Sequence, residues 1–223
     1  MVDMIKTIQD IEQSIEDVLW KSLKDDDHET ALGEYELARQ RLEALQDLPE
    51  GAEKERKRVL SYCLMRINDE LEHLEQSEGS IQRAAESLKL AEESGSRVQT
   101  LRSRLALGVA LLNTGKNSAA ESHFTDIILQ TQDESEDRDV IQVYGWALIV
   151  RVNILLGKSL YDQAKELASH AIGVLSGIEN YAGLRTAYSL LSRIYQIEGD
   201  TVMADQSREQ AARYAELARE RRQ

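Results

Sequence analysis

Helical hairpins with a small residue at the crossing recur along this chain, and that recurrence constrains its fold more than any other feature. The clearest copy, Arg104 to Gln132, reads RLALGVALLNTGKNSAAESHFTDIILQTQ. One apolar segment ends at Gly115, and a second carries Ala120, Phe124 and Ile127 at helical spacing. A turn glycine can take positive φ and so end the first helix, and an alanine five residues later lets the second helix approach the first closely.

The same marks recur at Gly33, Ala38, Leu42 and Leu45, and at Gly79, Ala84, Leu88 and Ala91. They recur again at Gly199, Ala204, Arg208 and Ala211, without the bulky residue, and at Ser159, Ala164, Ala168 and Ala171, with serine at the turn. The alanines 38, 84, 120, 164 and 204 are spaced by 46, 36, 44 and 40 residues, within the range of two-helix solenoid units. The pattern predicts one domain over 1–223, with repeats at about 3–48, 52–95, 96–133, 138–177 and 179–221. Ten helices follow: 3–24, 29–46, 52–76, 80–93, the two of the reference hairpin, 138–156, 160–176, 179–198 and 201–221. His28 falls in an acidic loop with Asp25, Asp26 and Asp27. The seventh helix is apolar nearly all round and belongs inside the stack. The tenth, with its narrow seam of Ala204, Ala211, Ala215 and Ala218, suits a terminal repeat.

Strong helix formers dominate, there is a single proline, and no period-2 run of β-branched residues stands out, so the expected class is all-α. A net charge of −13 disfavours nucleic acid and anionic membrane surfaces as partners. The acidity is uneven, because residues 1–50 hold 14 Asp/Glu against 5 Lys/Arg, whereas Arg208 to Arg222 holds 5 Arg against 3 Glu. The lone Cys63 excludes a disulfide within the chain and reads as a buried, inert thiol. The N-terminus lacks the basic start and apolar block of a signal peptide. The run Val140 to Leu156 is interrupted by Gln142, Gly145, Arg151 and Asn153 and reads as too short and too polar for a membrane span. A cytoplasmic protein is the expectation.

These residues resemble the tetratricopeptide repeat family in a degenerate, long-unit form. Leu107, Gly108, Leu111, Gly115, Ala120 and Phe124 sit where that family's consensus places its marks, and Tyr188, Leu191, Tyr195, Gly199 and Ala204 match in the last repeat. The resemblance implies a right-handed α-solenoid whose concave face is lined by the first helix of each hairpin, and it implies protein or peptide binding. The Lys, Asn and Arg set that grips acidic chaperone tails in some members is not reproduced. Asn153 stands at one such position, but its counterpart in the best repeat is Val109.

In that frame the concave face holds Arg66, Asp69, His73, Arg102, Leu105, Val109, Asn113, Trp146, Ile149, Asn153, Ser189 and Arg193. An apolar floor flanked by a few fixed charges suits an amphipathic helix or an extended peptide, and Trp and Arg are frequent interface anchors. Glu70 and His73 form one Glu-x-x-His pair, but the second copy that a di-metal bundle needs is absent. The Asp25–Glu29 cluster lacks the calcium-loop pattern, and there is no phosphate-binding loop or nucleophile motif. The expectation is a non-enzymatic scaffold with no cofactor or metal. The alternative is self-assembly through the first helix, whose stripe Ile8, Ile11, Ile15 and Val18 has no evident neighbour, or through an end of the array.

Overall fold

A computed structural model of the protein describes residues 2–134 and 136–220, without the side chains of Val2, Asp3 and Leu23. The described residues form ten helices and no strand: α1 Val2–Asp25, α2 His28–Glu43, α3 Glu50–His73, α4 Ser80–Ser94, α5 Arg97–Asn113, α6 Asn117–Thr131, α7 Arg138–Gly157, α8 Tyr161–Gly177, α9 Tyr181–Glu198 and α10 Thr201–Glu220. The expected end of the last helix at Arg221, and Arg222 of the basic stretch, lie outside the described residues.

The helix ends follow from local chemistry. Gly79, Gly115 and Gly199 have φ of 73°, 77° and 80°, and Ser159, which replaces the turn glycine in its repeat, has φ of 60°. The Gly115 amide donates to Leu112 O and the Lys116 amide to Leu111 O, which satisfies the last carbonyls of α5. Gly33 departs from the pattern. It lies inside α2, and the positive φ before that helix belongs to Asp26, at 57°. Asp27 then caps α2 by accepting the Thr30 amide at 3.1 Å, which makes His28 the first residue of a helix rather than part of the expected loop.

The chain divides into two compact units, Met1–Asn117 and Ser118–Gln223. In the first, α3 packs against α1, α2, α4 and α5, and the first helices of the hairpins (α1, α3 and α5) lie side by side. Its main apolar core joins Ile8, Ile11 and Ile15 to Tyr35, Leu42, Val59, Cys63 and Ile67. The isoleucine stripe of α1 is therefore not an open surface: all three side chains are at most 1% exposed, covered within the chain. Each is worth ~1.5–3 kcal/mol as an upper estimate. Burial pushes the Cys63 thiol up to about 12, in keeping with an inert side chain, and its Sγ donates to Tyr35 O. Beside this core lies a polar knot. Ser61, Ser87 and Ser103 hydrogen-bond to one another at 2.9–3.1 Å, and Gln99 Nε2 donates to Ser61 and Ser103.

The second unit is packed differently. Leu175 of α8 sits on two glycines, one from each neighbouring helix. A Cβ at Gly145 of α7 would meet Leu175 Cδ2 at 2.5 Å, and one at Gly183 of α9 would meet Cδ1 at 2.9 Å. Ala171 and Ala187 are fully or almost fully buried around it, and Ala164 and Ala168 are fully buried further along α8 against Val152, Leu156 and Ile194. On α10, Ala204 and Ala211 are buried, and Ser192 donates to Ala204 O at 2.8 Å. At 20 residues, α7 is long and apolar enough to cross a membrane, contrary to the expectation from sequence. More than half of its most apolar 18-residue stretch is buried, where Val143, Leu148 and Val152 contribute to the core of this unit.

Candidate functional site

The residues of α3 at 66, 69, 70 and 73 follow the i, i+3, i+4, i+7 spacing of one helical face. In the first unit this face borders a cleft of about 410 Å³ lined by Leu19 and Ser22 of α1, His28 of α2, and Arg66, Asp69, Glu70, Glu72 and His73 of α3. Three of the predicted site residues (Arg66, Asp69 and His73) are thus brought together. The cleft was only partly legible, because His28, Ser22 and Glu72 were not among the candidates.

Glu70 is the buried hub. Its side chain is 6% exposed, and Oε2 lies 2.6 Å from His28 Nδ1. Ser22 donates to Oε1 at 3.3 Å, so one carboxylate ties α1, α2 and α3 together. The other ring nitrogen of His28 lies 3.2 Å from Asp26 Oδ1. With an acceptor carboxylate at each nitrogen, the imidazolium is satisfied at both ends, and the hydrogen bond to Glu70 raises the His28 pKa above its ordinary value. The His73 ring stacks on His28, with centroids 4.3 Å apart and planes 5° from parallel.

Arg66 pairs with Asp69 at 2.8 Å and lies over the Tyr62 ring, 5.3 Å from its centroid. Burial pushes the Asp69 carboxyl up, while the guanidinium beside it pulls the other way. Arg66 Nε and the Tyr35 hydroxyl are buried without a hydrogen-bond partner among the described residues. On α5, Arg102, Leu105 and Val109 are half-buried, and exposed Asn113 donates to Glu72 Oε1. Among the described residues no group of His, Cys, Asp and Glu has the arrangement of a metal site. The Glu70–His73 pair is engaged instead with His28.

The remaining predicted positions belong to the second unit. Ile149 is a core residue, 3% exposed, and cannot floor a groove. Trp146 is half-buried and packs against the core of Tyr144, Leu148 and Leu184, so only part of its ring reaches solvent. Asn153, Ser189 and Arg193 are exposed. Ile149 fails because the repeat frame places a position on a helix without specifying its rotation against α8 and α9.

No family model and no curated protein matches this sequence. Among solved structures the fold is similar to BtubC (BKLC) from P. vanneervenii, with a TM-score of 0.56 at 16% identity over 97% of this chain and 92% of that one. It is also similar to the Rap conjugation gene regulator of the plasmid pLS20, solved in complex with the Phr* peptide. There the TM-score is 0.65 at 18% identity, over 98% of this chain. The chain spans 55% of the length of that regulator. These likenesses establish an all-α helical-repeat fold.

Proposed function

We propose that the protein is a non-enzymatic, cytoplasmic docking scaffold of the tetratricopeptide-repeat type, which holds a peptide or a partner helix on the face built by α1, α3 and α5. The observation that carries this reading is the composition of that face. Half-buried Leu105 and Val109 offer apolar contact, half-buried Arg66, Asp69 and Arg102 flank them with partly desolvated charges, and the exposed His73 ring stands beside Arg66 and Asp69 on the same face of α3. The peptide-bound Rap regulator supports the class of ligand, since it carries a peptide on a fold of the same kind.

Panning a displayed library of random 15-residue peptides on the immobilised protein tests the proposal. The expected result is a set of related sequences whose binding falls at least tenfold in Arg102→Glu and Val109→Asp, with circular dichroism unchanged. Selected peptides that bind both variants as well as the parent protein would overturn it.

Self-assembly has a narrower basis. Ile197, Val202 and Met203, at the α9–α10 end, are 51%, 64% and 38% exposed, an apolar surface of the kind that marks contact sites. Light scattering between 1 and ~100 μM would detect an interface of standard size, and a strict monomer throughout that range would remove this reading.

A further inference from the structure

We infer that the cleft between α1, α2 and α3 is a receptor for a single arginine side chain of the bound peptide. This inference rests on the docking reading above and names the chemistry of one subsite.

Charge supports a cation. Arg66 and His28 in the cleft are already paired with carboxylates, Arg66 with Asp69 at 2.8 Å and His28 with Glu70 at 2.6 Å. A third lining carboxylate, Glu72, accepts from the neutral amide of Asn113, and Asp26 stands behind His28. The three lining carboxylates Asp69, Glu70 and Glu72 therefore outnumber the cations Arg66 and His28, even with His28 protonated. The surrounding unit has the same sign, with 24 Asp/Glu against 16 Lys/Arg over residues 1–117, so an approaching cation is attracted from a distance. A free carboxylate or phosphate would meet Asp69, Glu70 and Glu72 instead.

Shape supports arginine over lysine. The stacked His28–His73 pair forms a flat π wall, and the exposed remainder of the His73 ring can take a planar guanidinium against it. The Glu72 carboxylate, which lines the same cleft, is the acceptor for the guanidinium's N–H donors. Leu19 supplies an apolar surface for the methylene stem. A volume of about 410 Å³ lies within the ~300–1,000 Å³ usual for ligand pockets and holds one side chain with its adjoining backbone.

The test uses the full chain with its four histidine rings isotopically labelled. Nα-acetyl-arginine amide is titrated into the millimolar range, with the neutral isostere Nα-acetyl-citrulline amide and Nα-acetyl-lysine amide as comparisons. Saturable shifts of the His73 and His28 ring signals with arginine, smaller ones with lysine and none with citrulline are the expected result. Glu72→Gln, an exposed position whose change leaves the fold intact, should weaken arginine binding about threefold or more. Equal shifts with citrulline, shifts confined to His123 and His170, or an unchanged affinity in Glu72→Gln would overturn the inference. Library panning separates this outcome from the broader reading. Selected peptides without an arginine preference would retain docking and remove the arginine subsite, whereas arginine binding without any selected peptide would do the reverse.

Discussion

The two units solve the same packing problem by opposite means. The unit Met1–Asn117 ties its helices together with polar groups: a serine–glutamine knot joins α3, α4 and α5, and a buried carboxylate joins α1, α2 and α3. The unit Ser118–Gln223 brings its helices together by removing side chains, so that Leu175 enters the space left by Gly145 and Gly183 among buried alanines. A buried polar group demands a partner in a fixed place and so specifies position. A methyl on a glycine demands only room. The contrast bears on function, because the side that uses ionisable groups for structure is also the one with a cleft lined by them.

The largest effect that separates the two strategies is expected at Leu175. Truncation to alanine empties a fully buried site and should cost ~2–5 kcal/mol, seen as faster amide exchange through α7, α8 and α9 with α1 to α5 unchanged. Gly145→Ala places a methyl 2.5 Å from Leu175 Cδ2 and should cost ~1–3 kcal/mol. In the Leu175→Ala background the same substitution should be close to neutral or stabilising, because the clashing atom is gone. Additive penalties would mean that the two residues do not form the close contact on which the comparison rests.

Next in size is Glu70. Replacing it by alanine removes the acceptor shared by Ser22 and His28 and should destabilise the first unit by ~1–3 kcal/mol. The penalty stays below that of a fully stranded buried charge because His28 keeps Asp26 or can release its proton. Urea unfolding followed by amide exchange should place the loss in α1, α2 and α3. A loss spread evenly over α7 to α10 would contradict the polar tie.

These contacts differ in how far sequence exposes them. The alanines at 84, 120, 164 and 204 are all at most 1% exposed, and they were readable because a small residue at a helix crossing recurs at a fixed distance from its turn. Gly33 shared the spacing without the role, since a glycine within a helix and one at a turn are alike on paper. The isoleucine stripe of α1 was visible as a stripe, but its burial depends on residues distant along the chain, such as Tyr35 of α2 and Val59 and Cys63 of α3. The cleft was half legible for the same reason. Arg66, Asp69 and His73 share one helix and one period, whereas His28 joins them across 42 residues, from a position that looked like an acidic loop until Asp27 capped α2. No local pattern distinguishes a histidine paired with a distant glutamate from one in solvent.

Within the polar unit the knot itself is a weaker tie than the carboxylate. Ser61→Ala removes one hydroxyl, but Ser87 and Ser103 remain bonded to each other and Gln99 still reaches Ser103, so about 1 kcal/mol is expected. Ser61→Val should cost more than Ser61→Ala, because its added methyls enter a closed space. The order of the two midpoints in urea checks this, and the reverse order would show that the knot has spare room.

The smallest effect is a pH dependence that only the polar unit should display. The hydrogen bond to Glu70 raises the His28 pKa above the ordinary 6.5, so the folded state holds this proton more tightly than the unfolded chain does. The contribution is therefore fully present below the unfolded value and fades as pH rises through the folded one. It is expected at ~1 kcal/mol or less, since the ring is partly open to water and Asp26, its second partner, is almost fully exposed. Exchange-based opening energies for α1 to α3 should fall from pH 6 towards pH 9 in the parent protein and stay flat in His28→Gln, once the intrinsic pH dependence of exchange is removed. Helices α9 and α10 serve as the internal reference, because neither carries a histidine, whereas His170 of α8 meets the Tyr144 hydroxyl. An equal decline in both units would assign the dependence to the net charge of −13, and a decline in α1 to α3 that persists in His28→Gln would remove the Glu70 contact as its source and leave His73.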